Sequence, residues 1–540
     1  MSQVWTTQIG NSQNLQSKNP TKFSRKWYQF WIVDALKGYC NTTGLHGFNY
    51  ITRSNTTRGE KIFWIIVVII AIITAIALVA VSSQWNSETP TVTVFESTHF
   101  STWNIPFPAV SICNFNKVSR RKAMHQARIL KKPANITVER LAKLFLLILD
   151  FIEVTDRVKA DYLTLGAILD ENNMSTLELY EKLAPDCDEM LLRCVWKGTE
   201  TRCDTLFQTS NSSIGICCSF NYHGIETSNN PMKAGHSIPR KPRHVTASGY
   251  QTGLTVILDP IEDDYFGTLL SGYGFRIFIH GAYDHPGTNS ETKVVTTTTE
   301  NFISLTPEST YATSDLRGLS PANRGCLFRR EQQMGVMRYY SYINCLAECR
   351  SRLFHESCGC IPPGFLNNGS HSTCRMDAID CVLKNKNSIN TAAPSFTKTL
   401  RQNGTGTTST LACNCLPDCE LNEYPGEIAT GILNRQFSYN SMSLFEDLKL
   451  TSEVVVHVYF DDLISTRYRK DIFQNWISIL ASLGGLLGLV FGFSIVTAIE
   501  LAYYLTLRPL FRYFFQQLAK NQGRIAVETF NNNKKRTTVK

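Results

Sequence analysis

Charge is missing from Ile62 to Val81, twenty consecutive residues of a 540-residue chain. At about 1.5 Å rise per residue, a helix of that length spans roughly 30 Å, the thickness of a bilayer's hydrocarbon core. A buried core helix can be apolar all round, but rarely over so long an unbroken run. A secretory signal is also excluded, because the run begins at position 62, exceeds the usual apolar length and is closed by no small-residue cleavage site. Charge is almost missing again from Trp476 to Leu507, where Glu500 stands alone. That stretch is too long for one upright span and must tilt, project or break. The shorter run Leu141–Ile152 contains Lys143 and Asp150. Its Leu141, Leu144, Phe145 and Ile148 follow helical spacing and predict an amphipathic helix on a core.

Acidic residues are scarce at both ends. Residues 1–61 hold eight Lys/Arg against two Asp/Glu, and residues 508–540 hold eight against one. The two flanks therefore carry +13 against +9 for the whole chain, leaving about −4 between them. By the positive-inside rule both termini are expected in the cytoplasm and the middle outside. The basic balance reads as topology and not as nucleic-acid binding, despite Lys534-Lys535-Arg536. Cysteine is equally scarce at the ends: of 17, only Cys40 precedes the first apolar run and none follows Cys419. The middle keeps sixteen, an even number suited to eight disulfides in an oxidising compartment. Glycosylation sequons fall there at Asn135, Asn173, Asn211, Asn368 and Asn403. Asn41 and Asn55 match the pattern too, but on this topology they stay bare.

Catalytic constellations are absent. No HExxH or GxSxG occurs, and histidines such as His244 and His285 lack ligand spacing. An enzyme is not expected, and neither a cofactor nor a metal is called for. No internal repeat is apparent. The expected organisation is a cytoplasmic segment 1–61, a membrane helix 62–81, an extracellular domain 82–473, a second membrane segment 474–507 and a cytoplasmic tail 508–540.

The extracellular part reads as α+β. Thr91–Phe95, Leu254–Leu258, Phe275–His280 and Glu453–Phe460 read as strands. Lys117–Lys132 reads as a basic helical stretch, and Ser175 with Glu178 as a capping box opening a short helix that Pro185 interrupts. Asn385–Thr410, rich in Asn, Ser, Thr and Gly, reads as a mobile loop. In the block Cys326–Cys419, Cys345 and Cys349 lie four apart on one face of a helix, about 6 Å along its axis. Cys413 and Cys415 lie two apart on one face of an extended segment, about 6.6 Å along it. An antiparallel arrangement would pair Cys345 with Cys415 and Cys349 with Cys413. A metal site of Cys358, Cys360 and Cys374 is the competing reading.

In the second apolar stretch Gly484, Gly488 and Gly492 recur every four residues, with Ala481 and Gly485 beside them. Small-residue ladders allow close helix packing. Three such faces on one axis would leave little but backbone lining it. Gly492-Phe493-Ser494 is a natural place for an extended break, which at membrane depth is tolerated only against protein or water. Glu500 is too costly to leave in lipid and is expected to face a wet cavity or a partner.

Taken together, these residues are similar to the degenerin/epithelial sodium channel/acid-sensing channel family, most of all its insect pickpocket branch. Gly44-Leu-His46-Gly47 resembles the family's gating motif. Phe107-Pro-Ala-Val-Ser-Ile-Cys113-Asn114 resembles its signature after the first helix. The Cys326–Cys419 block has the family's order, and Gly492-Phe493-Ser494 occupies its selectivity position. The resemblance covers nearly all of the chain beyond about residue 28.

What the resemblance implies is a homo- or heterotrimer shaped like a hand, with wrist, palm, β-ball, knuckle, finger and thumb. It would conduct Na+ passively and be blocked by amiloride-type compounds. An extracellular, mechanical or osmotic stimulus would open it, in a sensory role. His46, Gly47 and Ala481 would govern gating. Ala481, Ser482, Gly485, Gly488 and Glu500 would line the pore, with Ser482 and Gly485 where blockers act. The implied disulfides are Cys326–Cys419, Cys345–Cys415, Cys349–Cys413, Cys358–Cys381 and Cys360–Cys374 in the thumb, and Cys113–Cys218 in the palm. Cys187–Cys217 and Cys194–Cys203 take the remaining four. Phe493 is bulkier than the residue many relatives have there. Arg324-Gly-Cys326 lacks the Trp that acid-sensing relatives place before this Cys. A two-span scavenger or adhesion receptor shares the outline, but would need neither the glycine ladder nor Glu500. Arg240-Lys-Pro-Arg243 loosely resembles a furin-type cleavage site.

Overall fold

The computed structural model describes residues 37–519, except 55, 153–158, 226–240, 288, 392, 395–411, 434–442, 446–447, 449–450, 512–513 and 516–517. The chain divides into two compact units, one of residues 1–90 with 473–540 and the other of residues 91–472.

In the first unit the charge-free run lies within a helix, Arg58–Glu88. Thr57 caps it by accepting from the Glu60 N–H, and the Glu60 carboxylate stands at the positive end of the helix dipole. Of its side chains only Val68 and Ala75 are buried, while Ile73 is 62% exposed and Ile76 64%. A helix this apolar and this bare has lipid as its natural surroundings. Among the described residues it alone is long and apolar enough to cross a membrane unaided. The second apolar stretch forms a broken pair, Trp476–Phe491 and Ile495–Phe511, bent by 74°.

The second unit is built on three larger sheets. A six-stranded sheet is centred on Val454–Phe460, which pairs parallel with Thr299–Leu305 and antiparallel with Leu254–Leu258. Every residue of this strand except Tyr459 is buried, and a continuous apolar run marks a strand covered on both faces. Its one strongly polar member, His457, is matched on both ring nitrogens, with Thr255 Oγ1 at 2.8 Å from Nδ1 and Glu300 Oε1 at 3.0 Å from Nε2. A four-stranded sheet pairs Thr91–Ser101 antiparallel with Ile464–Ile472. In a five-stranded sheet Ala109–Asn114 lies between Gly274–His280 and Gly215–Phe220.

That last pairing corrects two expected disulfides. Ile112 lies opposite Cys218, so the residue facing Cys113 is Cys217, and these two are joined with their α-carbons 4.4 Å apart. Neighbours on a strand point to opposite faces. Cys218 is therefore turned away and bonds Cys187 from the other side. Cys113–Cys218 and Cys187–Cys217 do not form. Cys194 is joined to Cys203.

The helix Tyr342–Cys358 opens on Ser341, which accepts from the Asn344 N–H, and closes on Gly359 in the left-handed conformation. Cys345 on this helix is joined to Cys415, and Cys349 to Cys413, the two antiparallel rungs. Cys326 is joined to Cys419, Cys358 to Cys381 and Cys360 to Cys374, so the three cysteines of the alternative metal reading are all in disulfides. Arg324 is buried. Its side chain pairs with Glu331, donates to the carbonyls of Cys326 and Leu319, and lies 4.8 Å from the Phe328 ring centre.

Three local expectations are revised. Leu141–Ile152 is not one amphipathic helix: an α-helix Val138–Leu144 tightens into a 3-10 stretch Phe145–Phe151 buried on nearly every side. Asp150 is fully buried there and accepts from Tyr162 Oη at 2.5 Å. In Lys117–Lys132 the first residues join a strand, Asn116–Ser119, and only Arg120–Ile129 is helical, capped by Ser119. The helix Ile379–Asn390 runs into the expected loop 385–410, most of whose remainder lies outside the described residues. The capping by Ser175 is present, its hydroxyl accepting from the Glu178 N–H at 3.0 Å.

Candidate pore and gating site

The break in the second apolar stretch is built residue by residue. The helix Trp476–Phe491 begins at Asn475, whose side chain accepts from the Ser478 N–H at 2.8 Å. It ends because Gly492 turns left-handed, at φ 66°, and donates its N–H to Gly488 O at 2.7 Å. This is a left-handed cap, which glycine adopts without a β-carbon penalty. Phe493 bridges the gap. Ser494 then opens the helix Ile495–Ala502 through a reciprocal capping box. Its N–H donates to Thr497 Oγ1 at 2.8 Å, while its own hydroxyl accepts from the Thr497 N–H at 3.3 Å. The Gly-Phe-Ser triplet is thus a stop, a link and a start.

The segment ahead of the first helix comes back to this break. The His46 N–H donates to Phe491 O at 2.9 Å, which satisfies a carbonyl the helix end leaves free. A β-carbon on Gly492 would stand 2.9 Å from Cε1 and Nε2 of His46. Gly492 is therefore required twice, by its backbone angle and by the imidazole against it. Gly47 has φ 87°, and a β-carbon there would stand 2.9 Å from Val68 Cγ2. Tyr50 stacks on Trp64 with ring centres 4.3 Å apart. Beyond the break, Thr42 Oγ1 donates to Tyr504 Oη at 2.6 Å, Tyr39 packs edge-on against the Tyr504 ring, and Arg508 lies 4.5 Å from that ring's centre. The segment 38–52 is therefore held at three levels, by Trp64, by the break and by Tyr504.

The remaining expected residues separate into two groups. Ala481, Gly484 and Gly485 are exposed on their helix, and β-carbons added at the two glycines would touch nothing within 4 Å. Ser482 is half-buried. At Gly488 an added β-carbon would meet Phe493 O at 3.6 Å. Glu500, between the capping box and Tyr504, has one carboxylate oxygen shut off from solvent without a hydrogen-bond partner among the described residues. Thr497, Tyr39, Thr42 and Tyr504 were not singled out from sequence. Ser494 three residues before Thr497 was a readable capping signal. The contacts of the tyrosines join residues some 460 positions apart, which no local pattern encodes.

Arg240, of the possible cleavage motif, lies outside the described residues. Arg243 is anchored, its carbonyl accepting from the Phe107 N–H and its own N–H donating to Asn221 Oδ1, each at 2.8 Å.

A family model described as amiloride-sensitive sodium channel matches residues 39–504. Pickpocket protein 11 of Drosophila melanogaster is 26% identical over 505 residues, covering 93% of this chain and 80% of that protein. Sodium channel protein Nach of the same fly is 25% identical over 478 residues, covering 86% of each. Acid-sensing ion channel 1A of Danio rerio is 21% identical over 497 residues, covering 87% of each. A proton-activated chloride channel solved by cryo-EM aligns over 83% of this chain and 96% of its own, at 7% identity and a TM-score of 0.25, too slight a likeness to bear on the fold. The match spans the His46-Gly47 segment, both apolar stretches, the disulfide-bonded unit and the break at Gly492, and the chain belongs to the amiloride-sensitive sodium channel family, a family of ion channels and not of enzymes.

Proposed function

We propose that this chain is a subunit of a trimeric, sodium-selective channel at the plasma membrane, with both termini cytoplasmic and Thr91–Ile472 outside. The observation that carries this reading is the break at Gly492-Phe493-Ser494 between two separately capped helices. It interrupts the helical ladder: the N–H groups of Gly492, Phe493 and Ser494 stay paired to Gly488 O, Leu487 O and Thr497 Oγ1, and the carbonyls of Gly492 and Phe493 are the groups that protein or water would satisfy at membrane depth. Rings of such backbone groups and of carboxylates are how cation pores select, and Glu500 would supply the carboxylate. Ala481, Gly484 and Gly485 are exposed, β-carbons added at the two glycines would meet nothing of their own chain within 4 Å, and this face suits close contact with two further copies or related subunits. Amiloride-type blockers would act near Ser482 and Gly485, and His46 with Gly47 would set the opening equilibrium. Sugars would be carried on Asn135, Asn173 and Asn368, which are exposed. Asn211 is half-buried, and Asn403 lies outside the described residues.

The test is two-electrode recording of the chain alone and with sister subunits, across chemical, osmotic and mechanical stimuli. Current that reverses near the sodium equilibrium potential and is blocked by amiloride is expected. A current carried equally by sodium and potassium would refute the selectivity.

A further inference from the structure

A small cleft lies within the second unit, against the helix Tyr342–Cys358. Its volume is about 40 Å³, and roughly 10–15 Å³ of such space holds one water, so a guest of only a few heavy atoms fits. Ile343, Ala347 and Arg350 line it from the helix, spaced four and three residues apart and hence on one side. His285 lines it from the loop after the strand Gly274–His280, and Phe365 and Leu366 from the loop after the helix. The helix is fixed just beside Arg350 by the two rungs Cys345–Cys415 and Cys349–Cys413.

Two polar groups of this lining lack partners. Arg350 is half-buried. One of its terminal nitrogens, Nη2, donates to Asn390 O at 3.2 Å, but Nε is shut off from solvent without a hydrogen-bond partner among the described residues. Burial holds the guanidinium below its usual pKa, and no carboxylate is among the groups that act on it. His285 is buried, and its Nδ1 has no partner either. Burial, and after it the neighbouring His280, push this imidazole down to about 3, so the ring stays neutral. None of the residues lining the cleft is acidic. The cleft therefore carries one uncompensated positive charge beside a neutral imidazole, and unpaired buried groups of this kind are costly. The same balance disfavours any cation as a guest.

We infer that this cleft binds a short-chain monocarboxylate, of the size of acetate or propionate. The carboxylate takes the bond that Arg350 Nε lacks, a charge-assisted contact for which the planar guanidinium is suited. His285 Nδ1 is the second group available to it once the side chains close on the guest. The alkyl end lies against Ile343, Ala347, Phe365 and Leu366. Chloride would meet the charge but leave that apolar wall uncovered, and longer acids exceed the volume.

The test is saturation-transfer NMR of propionate on the full-length channel purified in detergent. Saturable transfer to the propionate methyl group is expected, with acetate competing and the neutral isostere propionamide not. Arg350→Met should weaken binding by about tenfold or more, the scale of a hydrogen bond to a charged group. Ala347→Phe, which fills the cleft and spares the guanidinium, should abolish it. Arg352→Met, exposed on another side of the same helix, should leave it unchanged. An unaltered melting temperature reports intact folding of each variant. Unchanged affinity in folded Arg350→Met protein overturns the site, and so does an equal loss in Arg352→Met. Two outcomes in wild-type protein overturn it without any variant: propionamide competing as well as acetate, or no transfer at tens of millimolar propionate, which would leave the cleft to water.

Discussion

The imidazole of His46 occupies the space that a β-carbon on Gly492 would need, 2.9 Å from Cε1 and Nε2. Enlarging either partner therefore disturbs the other. Gly492→Ala should change channel opening through two effects: left-handed backbone strain of about 1–2 kcal/mol and displacement of His46. Only the second is relieved by His46→Ala. A double-mutant cycle on open probability should show a coupling of about 0.5–3 kcal/mol, with the strain left over. Strict additivity would mean that the two residues are not in contact in the working channel.

Gly47→Ser meets a similar obstacle at Val68 Cγ2 and at φ 87°. Single-channel recording should show lower open probability at unaltered conductance. A large conductance change with normal gating would move this motif into the permeation path.

Ala481 is exposed on the face that carries the glycines. In a closed pore where three such faces meet, Ala481→Val would overpack the contact at a cost of about 1–3 kcal/mol, and about 1.4 kcal/mol is already tenfold in an open-to-closed ratio. Standing, amiloride-blocked sodium current is expected without a stimulus. Ile479→Val, on the opposite face, should not produce it. Surface-labelled Ala481→Val channels that stay silent with every partner tried would remove the axis assignment.

Burial pushes the Asp418 carboxyl up to about 7. The Tyr342 N–H, which it accepts at 3.1 Å, works against this shift, Asp284 adds to it, and Arg329 and Lys470 oppose it. An unfolded Asp titrates near 3.9. The folded form therefore binds the proton more tightly, so the stabilisation is complete below about pH 4 and is lost as pH rises through about 7. Melting temperatures of the purified channel at about pH 5 and pH 8 should differ more in wild type than in Asp418→Asn. Comparing the two proteins cancels other titrating groups such as Lys117, whose ammonium burial and Arg276 pull down to about 7. Parallel shifts in both proteins would exclude Asp418 as the source.

In a Cys40→Ser background, which removes the chain's one cysteine outside a disulfide, Cys187→Ser should leave a free thiol on Cys218 and none on Cys217. Adding Cys218→Ser should abolish thiol labelling, whereas adding Cys217→Ser should expose Cys113 as a second free thiol. Loss of one such bridge costs roughly 2–5 kcal/mol. Labelling that persists after Cys187→Ser with Cys218→Ser would reverse the pairing.

Much of this architecture was legible because its signals are local. The charge-free run, the glycine that stops a helix and the serine that starts the next are each readable within a few residues. The rungs at Cys345 and Cys349 follow from matching helical and extended rises. What escaped reading depends on distant register. Whether Cys217 or Cys218 faces Cys113 turns on a strand pairing across a hundred residues, and a one-residue slip inverts the answer. Phe145–Phe151 misled because a segment buried on nearly all sides has no polar face to give it a period. The placement of His46 on Gly492 is a contact between opposite ends of the chain.

The adjacent pair Cys217 and Cys218 makes one strand a covalent parity check. Each cysteine engages a partner on its own side of the sheet, so only the native register satisfies both. Slipped by one position, the strand would present Cys218 to Cys113, and oxidation would lock that error in place. Thiol exchange is the chemistry that can undo such a bond and return the strand to the register that satisfies both cysteines.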